Sequence, residues 1–403
     1  MRAAIRQQLS NRNQRLRERH LTGVDHVVPP LSIRMPLLPA CFLHWTTPAD
    51  ENGDETLRIV SWRRQLTLQG KSFQEFEAHV IPLLDGKTLV DDICDEVADL
   101  FSKEAMLASL STLAAQGIIV EGEHLNIDNS AMDHTPQLGW LSETAPEGQA
   151  AQARLQSIHV VLFGAGAHGA VVARALVAAG IGQLTIVDPM DVQATDLYFS
   201  ALFKTHDVGT NRASALAAAL QDDATQTKLV HHAARPADAN DIVPLVSGSA
   251  LALCCLDSGE MTLALQLNMA CKAAGVPWIA ASMEGSALVV GPGFFSHADG
   301  PCYMCWRMRE IAASANAQAR LAIDTHLGEV RSDLSGRREN LAVSADIVGG
   351  MLGAEVMSCL TGANVPQLDG RFLEVSLLGL KVEKHAVLRK PGCPVCDAMK
   401  TQP

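Results

Sequence analysis

Charge is thin in this 403-residue chain, and positive charge thinnest. Charged residues make up 19%, and 32 Lys+Arg against 44 Asp+Glu leave a formal net charge of −12. That balance argues against a general nucleic-acid binder, which would show a basic face. Long hydrophobic runs are missing too. The two best stretches, residues 242–256 and 278–295, are broken by Ser and Gly and by Glu284, short of the ~18 apolar residues a membrane span needs. An apolar h-region is lacking as well: the first twenty residues carry Arg2, Arg6, Arg12, Arg15, Arg17 and Arg19, which reads as a frayed surface helix and excludes a secretory signal. The 10 cysteines are therefore expected as thiols or metal ligands in a soluble, cytoplasmic protein, not as a disulfide scaffold.

What is present is core material. Apolar residues reach 48%, which rules out a disordered chain, and the length fits two or three domains. After a Pro-rich entry (Pro29, Pro30, Pro36, Pro39), residues 57–68 alternate as two short strands, R-I-V-S-W and R-Q-L-T-L. Three helices are expected next. Ser72-Phe-Gln-Glu75 has capping-box spacing and opens a helix ending at Asp85-Gly86. Thr88 and Asp91 open a second, along Leu89, Ile93, Val97 and Leu100. Ser102 caps a third, with Leu107, Leu110 and Leu113 inward and Gly117 as its stop. A small sheet with three helices is a winged-helix-like α+β module or an ordinary accessory domain. DNA binding fits poorly, because Lys103 is the sole basic residue of the third helix. The expected organisation is an extension (1–34), this module (35–125), a linker rich in Pro, Gly, Asp and Ser (126–150) and a larger domain (151–403).

The run L-T-L-Q-G…F-E-A-H-V-I-P-L-L-D-G-K-T-L-V-D-D-I…L-S-T-L-A-A-Q-G-I-I-V resembles the PqqD-like recognition element of enzymes that modify ribosomally made peptides. The resemblance implies that a precursor's leader adds a strand to the sheet edge and packs on the third helix. The docking edge would be residues 64–68 and the facing helix residues 106–113.

Ile158-His-Val-Val-Leu-Phe163 is a continuous apolar strand, followed by Gly164-Ala-Gly166-Ala-His-Gly169, an Ala/Val-rich helix, and a second strand ending at Asp188. This is G-x-G-x-x-G in its required strand–turn–helix setting, with an acidic residue about 20 positions on for a ribose. The glycines let a backbone approach phosphate at a helix N-terminus. A Rossmann-like fold without a ligand is the alternative. Another buried strand, Ala250-Leu-Ala-Leu-Cys-Cys-Leu256, ends in Asp257, placed to hold magnesium on a triphosphate or to cap the following helix. Cys302-Tyr-Met-Cys305 and Cys393-Pro-Val-Cys396 are two C-x-x-C pairs, the donor set of a structural zinc site, with a redox pair as the alternative.

Together these features resemble the ThiF/MoeB family of ubiquitin-activating-like adenylyltransferases, supported by V-A-A-G-I-G-Q-L-T-I-V-D, D-V-G-T-N-R-A-S-A-L and A-C-K-A-A-G-V-P-W-I-A-A-S-M-E-G. The implied fold class is α/β: a Rossmann-like ThiF core with structural zinc, preceded by the winged-helix-like domain. The family adenylates a carboxylate with ATP and magnesium as a homodimer. By resemblance Gly164, Gly166 and Gly169 meet phosphate, Asp188 the ribose and Asp257 the magnesium, and Arg212 stands where the family has a phosphate-binding Lys. Two departures are visible. Asp196-Leu-Tyr-Phe-Ser200 replaces N-L-x-R-Q, and Leu138-Gly-Trp-Leu replaces an arginine motif. The C-terminal hairpin feeding the second Cys pair resembles the leader-binding subunits of azole/azoline peptide synthetases, and stand-alone relatives act in pantocin and microcin C pathways. Three functions follow from the resemblance: an ATP-using modifier of a precursor peptide, a non-catalytic leader-binding partner of a YcaO-type cyclodehydratase, or a cofactor or sulfur-carrier adenylyltransferase. A nicotinamide dehydrogenase is more distant.

Overall fold

The computed structural model describes residues 31–39, 41–122, 134–145, 148, 150–224, 226–256, 261–284, 287–296, 299–330 and 340–396. The arginine-rich first twenty residues lie outside them. The chain divides into two compact units, residues 1–123 and 124–403.

In the first unit β1 (Pro36–Leu37) pairs with β5 (Val120–Glu121), closing the unit's two ends together. Between them β2 (Leu43–Thr47), β3 (Glu55–Val60) and β4 (Gln65–Gly70) form an antiparallel sheet in that order. Alternation puts Leu57, Ile59 and Leu66 on the inner face, against Phe76, Val80, Ile93, Met106 and Leu110. The sequence pattern anticipated β3 and β4 but not β2, whose L-H-W-T-T is too polar to stand out. Its inward face is held by hydrogen bonds instead: Glu77 accepts from the Thr46 N–H at 2.9 Å and its hydroxyl at 2.6 Å, with His44 Nδ1 at 3.1 Å. Burial pushes the Glu77 carboxyl up, but Thr46 and His44 outweigh it and hold the group below the usual carboxylate range.

Three helical segments cover the inner face. α1 starts at Phe73–Glu75, widens into a π turn over Phe76–Val80 and tightens into a 3-10 turn at Ile81–Leu83. The capping box expected at its start is not made, because Ser72 sits in the left-handed region (φ 64°) with no side-chain cap bond, and Glu55 accepts the Gln74 N–H at 2.8 Å. α2 is Val90–Glu96 and α3 is Lys103–Ala115. Ser102 does cap α3, accepting the Ala105 N–H at 3.2 Å, and Gly117 (φ 64°) ends it. Leu110 and Leu113 point into the core as expected and Met106 joins them, whereas Leu107, also expected inward, is only partly buried. Leu107 and Ala114 are the partly exposed apolar residues of that helix.

β4 is a sheet edge. The Ser61 N–H donates to Arg64 O at 2.8 Å, which makes residues 61 and 64 a hydrogen-bonded pair. Antiparallel alternation then turns the N–H and C=O groups of Gln65, Thr67 and Gln69 away from β3.

The second unit is built on an eight-stranded sheet in the order β13-β12-β11-β10-β9-β6-β7-β8. Strands β6 (His159–Phe163), β7 (Gln183–Val187), β8 (Lys228–His232), β9 (Leu251–Cys254) and β10 (Trp278–Glu284) run parallel. β11 (Ala287–Phe294), β12 (Arg371–Ser376) and β13 (Lys381–Ala386) extend the sheet antiparallel. The central parallel strands β6, β7 and β9 are buried on both faces, as two covering helix layers demand, whereas edge strand β8, K-L-V-H-H, is not. The segment expected as a linker instead carries α4 (Thr135–Thr144), with Leu138 and Leu141 buried, followed by α5 (Ala150–Leu155). One layer holds α6 (Ala167–Ala178) and the long α13 (Ala342–Thr361), which meet over Val172, Leu176, Val348 and Leu352. α13 is long and apolar enough to cross a membrane by length and composition, but here Ser344, Val348, Leu352 and Val356 are buried against the core. The other layer packs Ile242, Leu263 and Leu267 on Trp278 and Phe294.

Leu57 is fully buried at the centre of the first unit, whereas Thr67 is exposed. Leu57→Ala is expected to cost that unit about 2–5 kcal/mol, and Thr67→Ala less than about 0.5 kcal/mol. Urea unfolding of the two variants beside the parent measures the difference.

Candidate functional site

Chain order reverses at β6. The chain runs outward to β7 and β8, then returns so that β9 lies on β6's other side. The gap above the C-terminal ends of β6 and β9 is therefore the crevice where open α/β sheets bind ligands. The glycine loop follows β6 directly. Gly164 has φ 97°, and a Cβ there would lie less than 3.0 Å from the carbonyl oxygen of Cys255, at the end of β9. A Cβ on Gly169 would come equally close to the carbonyl oxygen of Gly164. Both glycines are thus demanded by the chain's own packing. Gly166 is the N-cap of α6, with φ −73° and no side-chain cap bond. A helix start of this kind presents main-chain N–H groups and a positive dipole end to an anion.

Asp188 ends β7 beside this loop and is 3% exposed. Its Oδ2 accepts the Ala165 N–H at 2.8 Å and its Oδ1 the Met190 N–H at 2.8 Å, so it fastens the glycine loop to the second strand. Burial pushes its carboxyl up, and the Arg212 guanidinium with these two N–H donors recovers part of that rise.

Arg212 is the first residue of α8 (Arg212–Ala219) and is 1% exposed. Its Nε and Nη2 donate to the two carboxylate oxygens of Asp196 at 2.8 and 3.1 Å, and Asp196 is fully buried. The guanidinium expected at the phosphates is thus engaged with a carboxylate sixteen residues earlier. Phe199, standing where the family has Arg, is buried with Ala167 and Ala345. Tyr198 meets the Phe199 ring edge-on, and its hydroxyl accepts the Ala342 N–H at 3.2 Å. The structure therefore brings the glycine loop, Asp188 and the Asp196–Arg212 pair to neighbouring turns. Asp257 lies outside the described residues. Asp196 stands out in the sequence as a departure, but its ion pair does not; a new Asp together with an Arg for Lys is the available signal.

The second cluster joins distant parts of the chain. Cys302 and Cys305 sit at the start of α11 (Tyr303–Ala313), and the β12–β13 hairpin leads to Cys393 and Cys396. The four sulfurs are buried and lie within 4.8 Å of one another. Separations of 3.8 Å (Cys302–Cys305), 3.7 Å (Cys302–Cys393) and 3.7 Å (Cys305–Cys396) match the edge of about 3.8 Å of a tetrahedron with 2.3 Å zinc–sulfur bonds. The Lys390 N–H points at Cys305 Sγ, 3.3 Å away, the kind of outer hydrogen bond that settles thiolate charge. Burial pushes the Cys302 thiol up and that of Cys396 to about 11, whereas hydrogen bonds from neighbours including the Lys390 N–H outweigh burial and hold Cys305 below the usual thiol range, so a cation is what would hold Cys302 and Cys396 ionised beside it. The geometry fits a structural zinc ion. Cys254, Cys255 and Cys271 are buried, and burial raises the Cys255 and Cys271 thiols far out of nucleophilic range. Metal analysis of the purified chain is expected to give about one zinc per chain, and Cys393→Ser to lose the metal and thermal stability together; a metal-free parent of equal stability would contradict this.

Comparison with known proteins agrees with this architecture. The chain is 28% identical over 275 residues to the SAMP-activating enzyme E1 of Haloferax volcanii, covering 68% of this chain and 91% of that one. It is 26% identical over 254 residues to the molybdopterin-synthase adenylyltransferase of Escherichia coli, covering 61% and 89%. Among solved structures, Escherichia coli MccB with a MccA-derived peptide superposes with a TM-score of 0.61 at 17% identity, covering 90% of this chain and 99% of that one. Residues 136–395, well over half the chain, match the ThiF family, and this protein belongs to that family.

Proposed function

We propose that the protein takes part in ATP-dependent modification of a ribosomally made precursor peptide, gripping the leader with its first unit and activating a carboxylate or amide of the core peptide in its second. One observation carries this reading. The ThiF match begins at residue 136, and the two adenylyltransferase relatives above cover 61–68% of the chain, whereas the likeness to MccB extends over 90% of it. MccB has been solved with ATP and, as the microcin C7 biosynthetic enzyme, with N-formylated MccA. The first unit supplies what a leader needs: β4 offers outward main-chain groups at Gln65, Thr67 and Gln69, with Leu107 and Ala114 of α3 partly exposed. Strand addition of this sort gives affinity through the main chain and selectivity through side-chain pockets.

In the second unit the glycine loop meets the phosphates through the N–H groups of Gly166 and Gly169 at the start of α6, while Gly164, whose own N–H is bonded to Val187 O at 2.9 Å, lets the backbone come close, and Asp188 is the residue proposed for the ribose. Asp257 is the residue proposed to hold magnesium. The peptide oxygen attacks the α-phosphorus of ATP and pyrophosphate leaves, so the carbonyl becomes a good electrophile. Charge building on the transferring group needs stabilisation. Arg212 stands in the position the family gives to that work, but its guanidinium is bonded to both oxygens of Asp196, so the main-chain donors of the glycine loop are assigned the larger share.

That pairing, and the apolar Phe199, favour a second reading: a leader-binding subunit that delivers the peptide to a YcaO-type cyclodehydratase and does not turn over ATP itself. A sulfur-carrier adenylyltransferase, as the curated relatives are named, leaves the first unit without a role. A homodimer is the proposed assembly, in the cytoplasm. The deciding experiment is pyrophosphate–ATP exchange by the full chain with and without its precursor peptide. Peptide-dependent exchange, abolished in Asp257→Ala, is the expected result. No exchange with the peptide, but ATP consumption once a YcaO-type partner is added, selects the second reading.

A further inference from the structure

The side chains beside the crevice carry less positive charge than their residue types suggest. Arg212 spends Nε and Nη2 on Asp196, with both side chains at 1% exposure or less. Asp196 is itself fixed, since its Oδ2 also accepts the Gln193 N–H at 2.8 Å. Arg212 is tied by its backbone to the turn after Asp188, donating its N–H to Met190 O at 2.9 Å. The preceding Asn211 caps α8 and donates its side-chain amide to Asp188 O at 2.8 Å. Two carboxylates, Asp188 and Asp196, therefore share the surroundings of one guanidinium. A bidentate Arg–carboxylate pair is the strong form of ion pair, and with little water around it the two charges largely cancel toward anything outside. The resemblance puts an uncharged Asn and a Lys at these two positions, so this chain has one negative charge more than that arrangement.

We propose that Asp196 is a positioning residue that sets the nucleotide affinity of this site by neutralising Arg212, so that the phosphates are met by the main-chain N–H groups of the glycine loop and not by a guanidinium. This rests on the nucleotide-binding reading above. The pair acts as a charge lock: it keeps Arg212 in place but withholds its charge from the triphosphate. Asp196→Asn removes one negative charge while keeping an acceptor oxygen for Arg212. Asp196→Glu keeps the charge.

The test is calorimetric titration of the full chain with a non-hydrolysable ATP analogue at low and moderate salt. Asp196→Asn is expected to bind about tenfold tighter than the parent, a gain of the size one charge at close range supplies. That gain should shrink as salt rises, and Asp196→Glu should show none. Equal or weaker binding by a folded Asp196→Asn protein, or an equal gain in Asp196→Glu, overturns the proposal. If Asp196→Asn does not fold, Asp196→Asn with Arg212→Lys replaces it, with the same gain expected and its absence counting against the lock. Parent binding that no variant improves defeats the lock and leaves the nucleotide reading standing. No binding by parent or variants defeats both.

Discussion

No side chain fits at residue 164: a Cβ there would press on the carbonyl oxygen of Cys255, less than 3.0 Å away. That close approach joins the end of β6 to the end of β9, the two strands between which chain order reverses. It lets the loop turn at once into α6, whose own start depends on Gly169 sitting as close to Gly164. Asp188 then ties the same loop to β7 through the Ala165 N–H. Three strand ends are thereby gathered around one helix N-terminus. Everything proposed for the second unit, from the phosphate cradle to the charge lock, takes its position from this one contact.

Features written as short local spacings were legible in the sequence. The glycine loop, the strand-end carboxylate at residue 188 and the two C-x-x-C pairs each announce themselves within a few residues, and the structure places the four thiols at tetrahedral separations. Features made by side chains meeting across loops were not legible. Asp196 and Arg212 are sixteen residues apart with no periodicity to link them, and only the fold shows them bonded. Pro136 was read as part of a linker, yet it stands in the first turn of α4, where proline's fixed φ and missing N–H do no harm. Ser72 shows the reverse error, because the S-x-x-E spacing is present but the left-handed backbone at Ser72 takes its hydroxyl out of reach. Strand β2 escaped because its inward anchors are His44 and Thr46, bonded to Glu77, in place of apolar residues.

The two units differ in the groups they leave open. The first keeps its apolar helix residues for its own core and leaves main-chain groups at a sheet edge, which suits recognition of an extended peptide of variable sequence. Near its crevice the second has a buried Arg212–Asp196 ion pair. Phe199 is apolar where the family has a cation, and Arg212 is bound to a carboxylate, so backbone donors carry more of any phosphate binding there. The cysteine cluster adds a different constraint, since one ion would lock the α11 start to the end of the β12–β13 hairpin and so anchor the sheet's antiparallel extension.

In the proposed complex a leader strand lies along β4 while nucleotide sits on the glycine loop. Amide hydrogen exchange on the full chain, with leader peptide and with ATP added separately, tests it most directly. Slowed exchange is expected at Gln65, Thr67 and Gln69 on adding the leader, and at residues 166–169 on adding ATP. Unchanged exchange at β4 with the leader saturating elsewhere on the chain would contradict it.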